Sequence, residues 1–387
     1  MVNLLCVYEN SSSTISLLKD TLNKAFSETN IICTFVSIKC IQNKYINESD
    51  IIMLIRPNNF LSKIIARNAR KSGRLVIFFI DDDLFNLPME LPSIPWRTYN
   101  LWQTLEESDL ILSTSPYLLN KYKEHTRLKR NALIDTIVTY DEITSNFNSE
   151  KQTKHGEIKI VYAAGKNHST LFNKYLLPVV PRLIDKYGEK ISLAFVGNKP
   201  NVSQFESKIS VNYYENMSLE NYRNFMKEQH FDIGVAPLDN NEFSKGKYYN
   251  KFIEYSIVGV VGVYTNSEPY THVIIDRENG FLTNNDEESW FSTLSLAIDN
   301  HNLRLKCLKN AQEQLVNKFS AFSIRERIIS QIPELKNKNV DKCSFKISFI
   351  HKIIYYISRF ADVVYLIGFY LKHEGLKKVI NRIKNKL

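Results

Sequence analysis

Glycine is scarce in this chain, with 12 residues in 387, about 3% against the ~7% of average proteins. Neither G-x-G-x-x-G nor G-x-x-x-x-G-K-[ST] occurs, which excludes the glycine-rich loops of dinucleotide-binding proteins and P-loop NTPases. Only Gly73 and Gly156 precede residue 165. Because glycine permits close approach of a phosphate to the backbone, we expect such a contact in the second half of the chain.

Cysteine indicates neither a disulfide framework nor a thiolate zinc site. The five cysteines are odd in number and form no C-x-x-C pattern, which fits a reducing compartment. The N-terminal run MVNLLCVYEN lacks a basic segment, and its apolar stretch is too short for a signal peptide. It predicts a buried first strand.

Positive charge is concentrated at the C-terminus. The chain has 50 Lys and Arg against 41 Asp and Glu, a formal net charge of +9. Residues 342–387 contain ten Lys and Arg and two acidic residues, so the rest of the chain is close to neutral. A neutral body argues against nucleic acid bound over the folded surface and indicates a separate role for the basic tail.

Short apolar runs alternate with helical patterns along most of the chain. Runs such as VNLLCVY and RLVIFFI are typical of strands buried on both faces of a parallel sheet, with amphipathic helices between them. A polar stretch at 139–157 predicts an interdomain linker. We therefore expect an α/β fold of two Rossmann-like, doubly wound domains, 1–145 and 157–333, which face one another across a cleft.

The tail, 342–387, has a different pattern. It is apolar, but its longest stretch without Lys, Arg, Asp or Glu is Val363–Leu371, shorter than the ~20 residues of a spanning helix. Basic, aromatic and amphipathic segments are typical of helices that lie in a membrane interface. The alternative is a set of helices packed back on the body. The concentrated charge favours the membrane and predicts two or more helices with an exposed apolar face, whose removal leaves the body folded.

Lys247, Lys251 and Glu254 form the most informative constellation. They follow the predicted strand FDIGVAPL at spacing i, i+4 and i+7, which places them on one helix face. Near a helix start, ammonium groups bind phosphate oxygens, and a carboxylate accepts hydrogen bonds from ribose hydroxyls. The spacing fits a nucleotide diphosphate. A solvated ion-pair face on a helix has the same spacing.

The run F-S-x-x-K-x-x-x-K-F-x-E-Y around these residues, followed by VGVVGVYTNSEPY and ENGFL, resembles the retaining GT-B glycosyltransferases of the family 4 type. It is most similar to a subgroup that builds bacterial surface polysaccharides. The resemblance spans about 3–332 and is most specific over 231–290. The matching positions are Phe243, Lys247, Lys251, Phe252, Glu254, Tyr255, Gly259, Pro269, Tyr270, Asn279 and Gly280.

The resemblance implies a metal-independent enzyme that needs no cofactor and transfers a sugar, with retention, from a nucleotide diphosphate sugar to a glycan acceptor. It implies that Glu254 holds the ribose, that Lys247 and Lys251 lie at the diphosphate, and that Pro269 and Tyr270 belong to the donor site. Together with the basic tail, it predicts a lipid-linked acceptor and a peripheral location on the cytoplasmic face of the cell membrane. We expect an anionic membrane surface as a partner and no nucleic acid.

Three positions depart from the family pattern. Gly246 stands where the wider family has the first of two glutamates, which commonly contacts the donor sugar. Tyr248 replaces a serine, and Val261 replaces a proline. A catalytically inactive GT-B-like membrane assembly partner is therefore a second hypothesis, and a phosphorylase or epimerase of the same fold is a third.

A turn in the second half, AAGKNHST, carries further candidates. Gly165 permits close backbone approach, Lys166 is placed to pair with phosphate, and His168 is placed to hydrogen-bond substrate. Similar proteins often have a glycine followed by a histidine at this turn. A structural histidine is the alternative for His168.

Three consecutive carboxylates, Asp81, Asp82 and Asp83, end a predicted strand of the first half. We expect them to bind acceptor or shape the cleft, with Asp82 as the catalytic candidate. One alternative is a D-x-D metal site of Asp81 and Asp83, against which two tandem α/β halves argue. The other is a cluster that caps the next segment through backbone N–H groups.

Overall fold

Two parallel six-stranded sheets organise the chain in a computed structural model. The structure describes residues 1–88, 92–144, 156–165, 169–337 and 341–375. The chain divides into a first unit, Met1–Thr136 with Ile324–Leu387, and a second unit, Ile137–Ser323. Each unit contains one sheet and the helices that pack on it, which confirms the predicted α/β architecture.

The sheet of the first unit has the strand order β2-β1-β3-β4-β5-β6. Its strands are β1 Val2–Tyr8, β2 Ile31–Ser37, β3 Ile51–Ile55, β4 Leu75–Ile80, β5 Leu110–Ser113 and β6 Arg130–Leu133. The chain passes from β1 to β2 on one side and then to β3 on the other. The winding direction therefore reverses between β1 and β3, and this is where ligands bind in sheets of this kind.

Helices connect these strands, and side chains cap the starts of several of them. Asn59 Oδ1 accepts a hydrogen bond from Ser62 N at 3.0 Å at the start of one helix, and Ser12 Oγ accepts one from Ile15 N at 3.4 Å at the start of another. The helices are α1 Ser13–Phe26, α2 Asn43–Glu48, α3 Phe60–Lys71, α4 Pro95–Glu107 and α5 Pro116–Tyr122.

The sheet of the second unit has the order β12-β11-β10-β7-β8-β9 and reverses between β7 and β10. Its strands are β7 Ile158–Ala163, β8 Ile191–Val196, β9 Ser210–Tyr214, β10 Ile233–Ala236, β11 Val261–Thr265 and β12 Phe281–Thr283. Its helices are α6 Tyr140–Thr144, α7 Ser169–Tyr175, α8 Val180–Tyr187, α9 Leu219–Gln229, α10 Glu242–Lys245, α11 Asn250–Ile257, α12 Glu287–Asp299 and α13 His301–Lys318.

Two glycines of this sheet make room for tyrosine rings. A Cβ at Gly234 in β10 would lie 2.5 Å from the Tyr255 ring, and one at Gly262 in β11 would lie 1.9 Å from the Tyr264 ring. Both tyrosines are fully buried, with ring centroids 6.4 Å apart. At these two positions the core admits no larger side chain than that of glycine.

Helix α14, Ala321–Gln331, begins the return of the chain to the first unit. Arg327 Nη2 lies 2.6 Å from Asp135 Oδ2, and Arg130 Nη1 lies 2.6 Å from Glu334 Oε1. These ion pairs hold residues after Ser323 with the first unit, whereas the sequence pattern placed the end of the second domain at 333. The predicted linker falls mostly on 145–155, outside the described residues.

The last described helix, α15 Phe349–Glu374, packs on the first unit along one side. Tyr355 and Asp362 on that side are buried, whereas Phe349, Ile357 and Phe360 on the other are 62–77% exposed. The structure thus combines both alternatives, because the tail packs on the body and still exposes an apolar face. The sequence predicted two or more helices, but 349–374 form one, and 376–387 lie outside the described residues.

By length and composition alone, Phe349–His373 is long and apolar enough to cross a membrane. The sequence-based expectation that the segment is too short is therefore wrong, because the isolated charges of the tail are too few to lower its mean hydropathy below that of a spanning helix. Only 11% of its most apolar window is buried.

Candidate functional site

The first two turns of α11 carry a charged pair next to the reversal of the second sheet. Helix α11 begins at Asn250, after the connection from the carboxyl end of β10. Lys251 Nζ lies 2.5 Å from Glu254 Oε2, and each side chain remains about one quarter exposed. A cation and a carboxylate are thus held together at a helix start, where the helix dipole favours anions.

Tyrosine hydroxyls and rings surround this pair. Tyr222 of α9 donates to Glu254 Oε2 at 3.2 Å, and its hydroxyl lies 3.4 Å from Lys251 Nζ. The ammonium group also lies 5.3 Å from the Tyr222 ring centre and 5.8 Å from that of Tyr255. The sequence reasoning missed Tyr222, which precedes Glu254 by 32 residues.

The electrostatics keep Lys251 charged and Tyr222 neutral. Burial by itself lowers the pKa of Lys251, but the Glu254 carboxylate and nearby Tyr255 outweigh it, so the pKa lies above its ordinary value. Burial, and then Glu254, raise the pKa of Tyr222 well above its ordinary value. The site therefore offers an ammonium group, a carboxylate partner and a phenol that donates.

Tyr270 belongs to the same cluster. It is buried, its ring centroid lies 4.8 Å from that of Tyr264, and burial raises its pKa while the Lys251 charge acts in the opposite direction. The preceding residue, Pro269, is joined to Glu268 by a cis peptide bond. The structure thus brings Lys251, Glu254 and Tyr270 together, as the sequence predicts.

The turn after β7 lies beside the sheet reversal and is held by the turn after β8. Gly197 has φ +77°, and a Cβ there would lie 2.7 Å from the carbonyl oxygen of Ala164. Asn198 Nδ2 donates to that same oxygen at 3.2 Å. Gly165, which follows Ala164 in the chain, is exposed. The sequence reasoning missed Asn198, although Gly-Asn directly after a buried strand signals such a turn.

Two predicted residues of the β7 turn, Lys166 and His168, lie outside the described residues. Their predicted roles stay predictions.

Lys247 is not on the helix that carries Lys251 and Glu254. Asn241 Oδ1 caps α10 by accepting from Ser244 N at 2.8 Å, and this short helix ends at Lys245 with Gly246 as its C-cap. Lys247 lies in the connection to α11, with Nζ 4.5 Å from the Phe243 ring centre. The predicted single helix face is therefore wrong at Lys247.

In the first unit, the carboxylates after β4 have internal partners. Arg56 Nε lies 2.5 Å from Asp81 Oδ1, and Arg56 Nη2 lies 2.8 Å from Asp82 Oδ2. Asp83 is buried and accepts from Tyr122 at 2.7 Å and from Lys121 at 3.0 Å. Asp83 also accepts from Phe85 N at 3.3 Å, as in the capping alternative. The catalytic role of Asp82 stays a prediction.

Within the described ranges, no group of three or more His, Cys, Asp and Glu side chains is arranged to hold a metal ion. The D-x-D alternative at Asp81 and Asp83 gains no support from this part of the chain.

Comparison with known proteins gives the architecture. HepE from Anabaena, solved in complex with UDP, aligns with a TM-score of 0.60 and 11% identity over 86% of this chain and 100% of its own. A glycosyltransferase from Rickettsia africae aligns with a TM-score of 0.59 and 14% identity over 87% of this chain and 99% of its own. Sucrose-phosphate synthase from Thermosynechococcus elongatus aligns with a TM-score of 0.60 and 9% identity over 87% of this chain and 99% of its own. These neighbours are GT-B glycosyltransferases.

The chain has the GT-B fold. No protein-family model matches the sequence, and no curated protein matches it. At these identities the likeness establishes the GT-B fold and leaves residue roles to the geometry above. The aligned structures cover 86–87% of this chain, so about one seventh of it lies outside each match.

Within this GT-B fold, the charged pair and its tyrosines belong to the second unit, and the aspartates belong to the first. The β7 turn, the first turn of α11 and Tyr270 all follow the carboxyl ends of strands in one sheet. Ligands bind in parallel sheets beside such strand ends. The second unit therefore carries the candidate ligand site, made of Lys251, Glu254, Tyr222 and Tyr270.

Proposed function

We propose that this protein is a glycosyltransferase that moves a sugar from a nucleotide diphosphate sugar to a hydroxyl of a glycan acceptor. The observation that carries the proposal is the Lys251–Glu254 pair, 2.5 Å apart, at the helix start beside the sheet reversal of a GT-B fold. Solved neighbours of the same fold include HepE in complex with UDP and with UDP-glucose.

The candidate site fits the parts of such a donor. Lys251 supplies a positive charge for the diphosphate, aided by the backbone N–H groups at the start of α11. Glu254 accepts hydrogen bonds from the ribose hydroxyls, and the exposed turn at Gly165 admits close approach of phosphate to the backbone. Lys247, in the connection before α11, is close enough in sequence to contribute a second charge. Tyr270 closes the buried side of the cluster.

The protein contributes to the reaction mainly by positioning the donor and the acceptor and by stabilising the charge of the departing diphosphate. The acceptor oxygen bonds to the anomeric carbon as the bond from that carbon to the diphosphate breaks. The acceptor proton passes to a departing phosphate oxygen, so no protein nucleophile is required. We further propose that the configuration is retained and that neither a metal nor a cofactor is needed.

We place the reaction in bacterial surface polysaccharide synthesis, with a lipid-linked acceptor on the cytoplasmic face of the cell membrane. The support is the motif resemblance, together with the basic tail and the exposed apolar side of α15.

A catalytically inactive GT-B-like assembly partner is the second candidate. Gly246 favours it, because this residue caps α10 where the resemblance has a glutamate that contacts the donor sugar.

The two candidates differ in nucleotide binding and transfer. A panel of UDP, GDP, CDP and dTDP sugars is added to the purified protein, and the unfolding temperature and the release of nucleotide diphosphate are measured. We expect one nucleotide to raise the unfolding temperature, because a ligand at ~100 times its Kd stabilises the folded state by about 2.7 kcal/mol. We also expect the matching sugar donor to be consumed. An inactive partner predicts neither result, and dependence on inorganic phosphate as co-substrate would indicate a phosphorylase.

A further inference from the structure

A pocket of about 320 Å³ lies at the sheet reversal of the first unit. Its lining includes Asn10, which follows β1, and Asn58, which follows β3. These are the two strands between which the winding direction changes, the usual place for a ligand in a parallel sheet. Its size is at the lower end of the ~300–1,000 Å³ typical of ligand pockets. The pocket thus has room for a sugar-sized group.

The polar side of the pocket is neutral overall. Arg97 Nη1 lies 3.0 Å from Asn58 Oδ1 and 3.2 Å from Glu9 Oε2, while Arg97 Nη2 lies 2.8 Å from Asp362 Oδ2. Arg359 Nη1 also lies 2.9 Å from Asp362 Oδ2. Two guanidinium groups and two carboxylates cancel in charge and offer both donors and acceptors. This combination suits hydroxyl groups better than an ion.

Helix α15 forms one wall of the pocket. Val363 and Leu366 line it, with Leu84 and Leu87 among the apolar residues from the loop after β4. Val363 is 50% exposed, and Phe360, one helical turn earlier, is 71% exposed. The apolar wall of the pocket therefore continues at Val363 into the exposed apolar face of α15.

The side of α15 that faces away from its exposed apolar residues is fixed to the first unit. Tyr355 donates to Glu9 Oε1 at 3.0 Å, Trp96 Nε1 donates to Asp362 Oδ1 at 2.7 Å, and Tyr365 donates to the Ser93 carbonyl at 3.0 Å. A helix bound in this way cannot be surrounded by lipid. If a lipid layer covers its exposed face, the helix lies along the surface of that layer.

Charge favours a lipid layer over a second copy of the chain. Residues 342–387 contain ten Lys and Arg against two acidic residues. Two copies that met through this segment would bring two strongly basic tails together, whereas anionic headgroups attract each Lys or Arg by ~1 kcal/mol in binding free energy.

We propose that α15 lies in the surface of an anionic lipid layer and that the pocket beside it receives the neutral sugar head of an amphiphile from that layer. The hydrocarbon of the amphiphile runs from Val363 along the exposed apolar face of α15. The identification of this amphiphile as the acceptor rests on the proposed glycosyltransferase function. The inference deepens that function, because it makes one helix both the membrane contact and a wall of the acceptor pocket.

The pocket is tested with alkyl glycosides as probes. Octyl glucoside, galactoside, mannoside and N-acetylglucosaminide, below their micelle concentrations, are titrated calorimetrically beside their methyl counterparts. We expect at least one octyl glycoside to bind at least about tenfold more tightly than its methyl counterpart, because the chain adds apolar contact. Leu366→Trp, which fills the pocket, should raise that Kd about tenfold or more, whereas Leu305→Trp, at a residue of the second unit that is 53% exposed, should not. Absence of saturable binding by all four octyl glycosides, equal affinities for octyl and methyl forms, or an unchanged Kd in Leu366→Trp would overturn the pocket assignment.

The lipid surface is tested by flotation with phosphatidylcholine vesicles that contain about one third phosphatidylglycerol. The Ile357→Ser/Phe360→Ser variant changes two exposed residues of α15 outside the pocket lining. The control Ile275→Ser/Leu305→Ser changes two residues of the second unit that are 61% and 53% exposed. We expect the α15 variant to lose at least about tenfold in vesicle affinity and the control to keep it. Flotation of the α15 variant at the wild-type level would overturn the docking. The docking would also be overturned if the wild-type protein formed a dimer that does not bind vesicles and the two α15 substitutions made it monomeric.

UDP and the other nucleotides are tested on the same preparations, so that the two proposals fail separately. Glycoside and vesicle binding without any nucleotide-dependent stabilisation would support the α15 pocket and contradict the glycosyltransferase proposal. Nucleotide-dependent stabilisation without glycoside binding would overturn the pocket and leave the donor site standing.

Discussion

The Lys251–Glu254 pair is held ready for a ligand by its neighbours. Glu254 shares its carboxylate between Lys251 and the Tyr222 hydroxyl, and the elevated pKa of Lys251 keeps the ammonium charged well above neutral pH. Both side chains remain about one quarter exposed, so a ligand can reach them. Because the charges are already placed, little conformational entropy is lost when a diphosphate binds.

Glu254→Gln should weaken nucleotide binding. The loss of a charge-assisted hydrogen bond to the ribose should raise the Kd about 10- to 100-fold, which equals ~1.4–2.7 kcal/mol of binding free energy. The measurement is the nucleotide-induced shift in unfolding temperature as a function of ligand concentration. The matched control is Glu313→Gln, because Lys309 and Glu313 form an exposed pair on α13 with their charged atoms 3.9 Å apart. Equal affinities in the two variants would contradict the donor-site assignment.

Gly262→Ala should destabilise the second unit. The added Cβ would lie 1.9 Å from the Tyr264 ring, which is buried and cannot move without disturbing Tyr270. Overpacking of this kind costs ~1–3 kcal/mol in the free energy of unfolding. Gly368→Ala in α15 is the control, since no heavy atom lies within 4 Å of its added Cβ. There we expect no loss, and a gain of up to ~1 kcal/mol from helix propensity. Both values come from urea denaturation, and similar losses at the two sites would count against the packing argument.

The tyrosine cluster around Lys251 should limit stability at alkaline pH. Burial raises the pKa values of Tyr222 and Tyr255, and Glu254 adds to the effect at Tyr222 whereas Lys251 opposes it at Tyr255. The pKa of Lys251 is also raised, because Glu254 and nearby Tyr255 outweigh the opposing effect of burial. Groups with raised folded-state pKa values contribute stability below their unfolded values of ~10 to 10.4, and they lose it as pH rises through the folded values. Stability should therefore fall steeply above about pH 10.

Tyr222→Phe removes one of these groups, so its free energy of unfolding should fall less steeply with pH in that range. Urea denaturation between about pH 8 and 11 measures the slope. Tyr99→Phe, at a tyrosine that is 57% exposed, is the control and should keep the wild-type slope.

At the scale of elements, the strands could be predicted and the break between α10 and α11 could not. Strands such as β4 are buried on both faces, so their apolar runs are continuous and easy to recognise in the sequence. The spacing of Lys247, Lys251 and Glu254 satisfies a helical period even though Asn241 and Gly246 end a separate short helix before it. The spacing of residues alone does not show where a helix is capped and ends.

Contacts between residues far apart in the sequence could not be predicted either. Tyr222 contacts Glu254 only because α9 and α11 lie on the same sheet, and no local pattern links the two residues. Arg97 and Asp362 meet across 265 positions in the same way. Residues matched to a family motif could be predicted, whereas their partners from other helices could not.

Asp362→Ala should loosen α15 from the first unit. This buried carboxylate accepts from Trp96 Nε1, Arg97 and Arg359, so its removal leaves the two guanidinium groups with Glu9 as their shared carboxylate. We expect a loss of about 3 kcal/mol in the free energy of unfolding and faster hydrogen exchange along α15. Asp299→Ala breaks an exposed pair with Lys186 and should cost less than about 1 kcal/mol. Unchanged exchange in α15 of the Asp362 variant would show that other contacts hold the helix.

At the scale of the whole molecule, each unit presents one candidate site at the reversal of its sheet. The second unit has a charged pair that suits a nucleotide diphosphate, and the first has a pocket of neutral overall charge that suits hydroxyl groups. The described part of the basic tail, 342–375, belongs to the first unit. The unit that carries the proposed acceptor pocket is therefore also the one that carries the proposed membrane contact.

We expect one part of the tail to be needed for folding and another part for electrostatic attraction to anionic lipid. Removal of everything after Lys342 would strip Ile347 and Tyr355 from the core of the first unit, which argues against the sequence-based expectation that the body stays intact. We expect that truncation to lower the unfolding temperature or to yield insoluble protein. Truncation after Gly375 keeps α15 and removes five of the ten Lys and Arg of 342–387. It should leave the unfolding temperature unchanged, weaken binding to anionic vesicles, and make the remaining binding less sensitive to salt, because the apolar face of α15 is unaffected by screening. Flotation at low and high salt measures both effects. An unchanged salt dependence would show that the charges of α15 itself, rather than those of 376–387, attract the lipid surface.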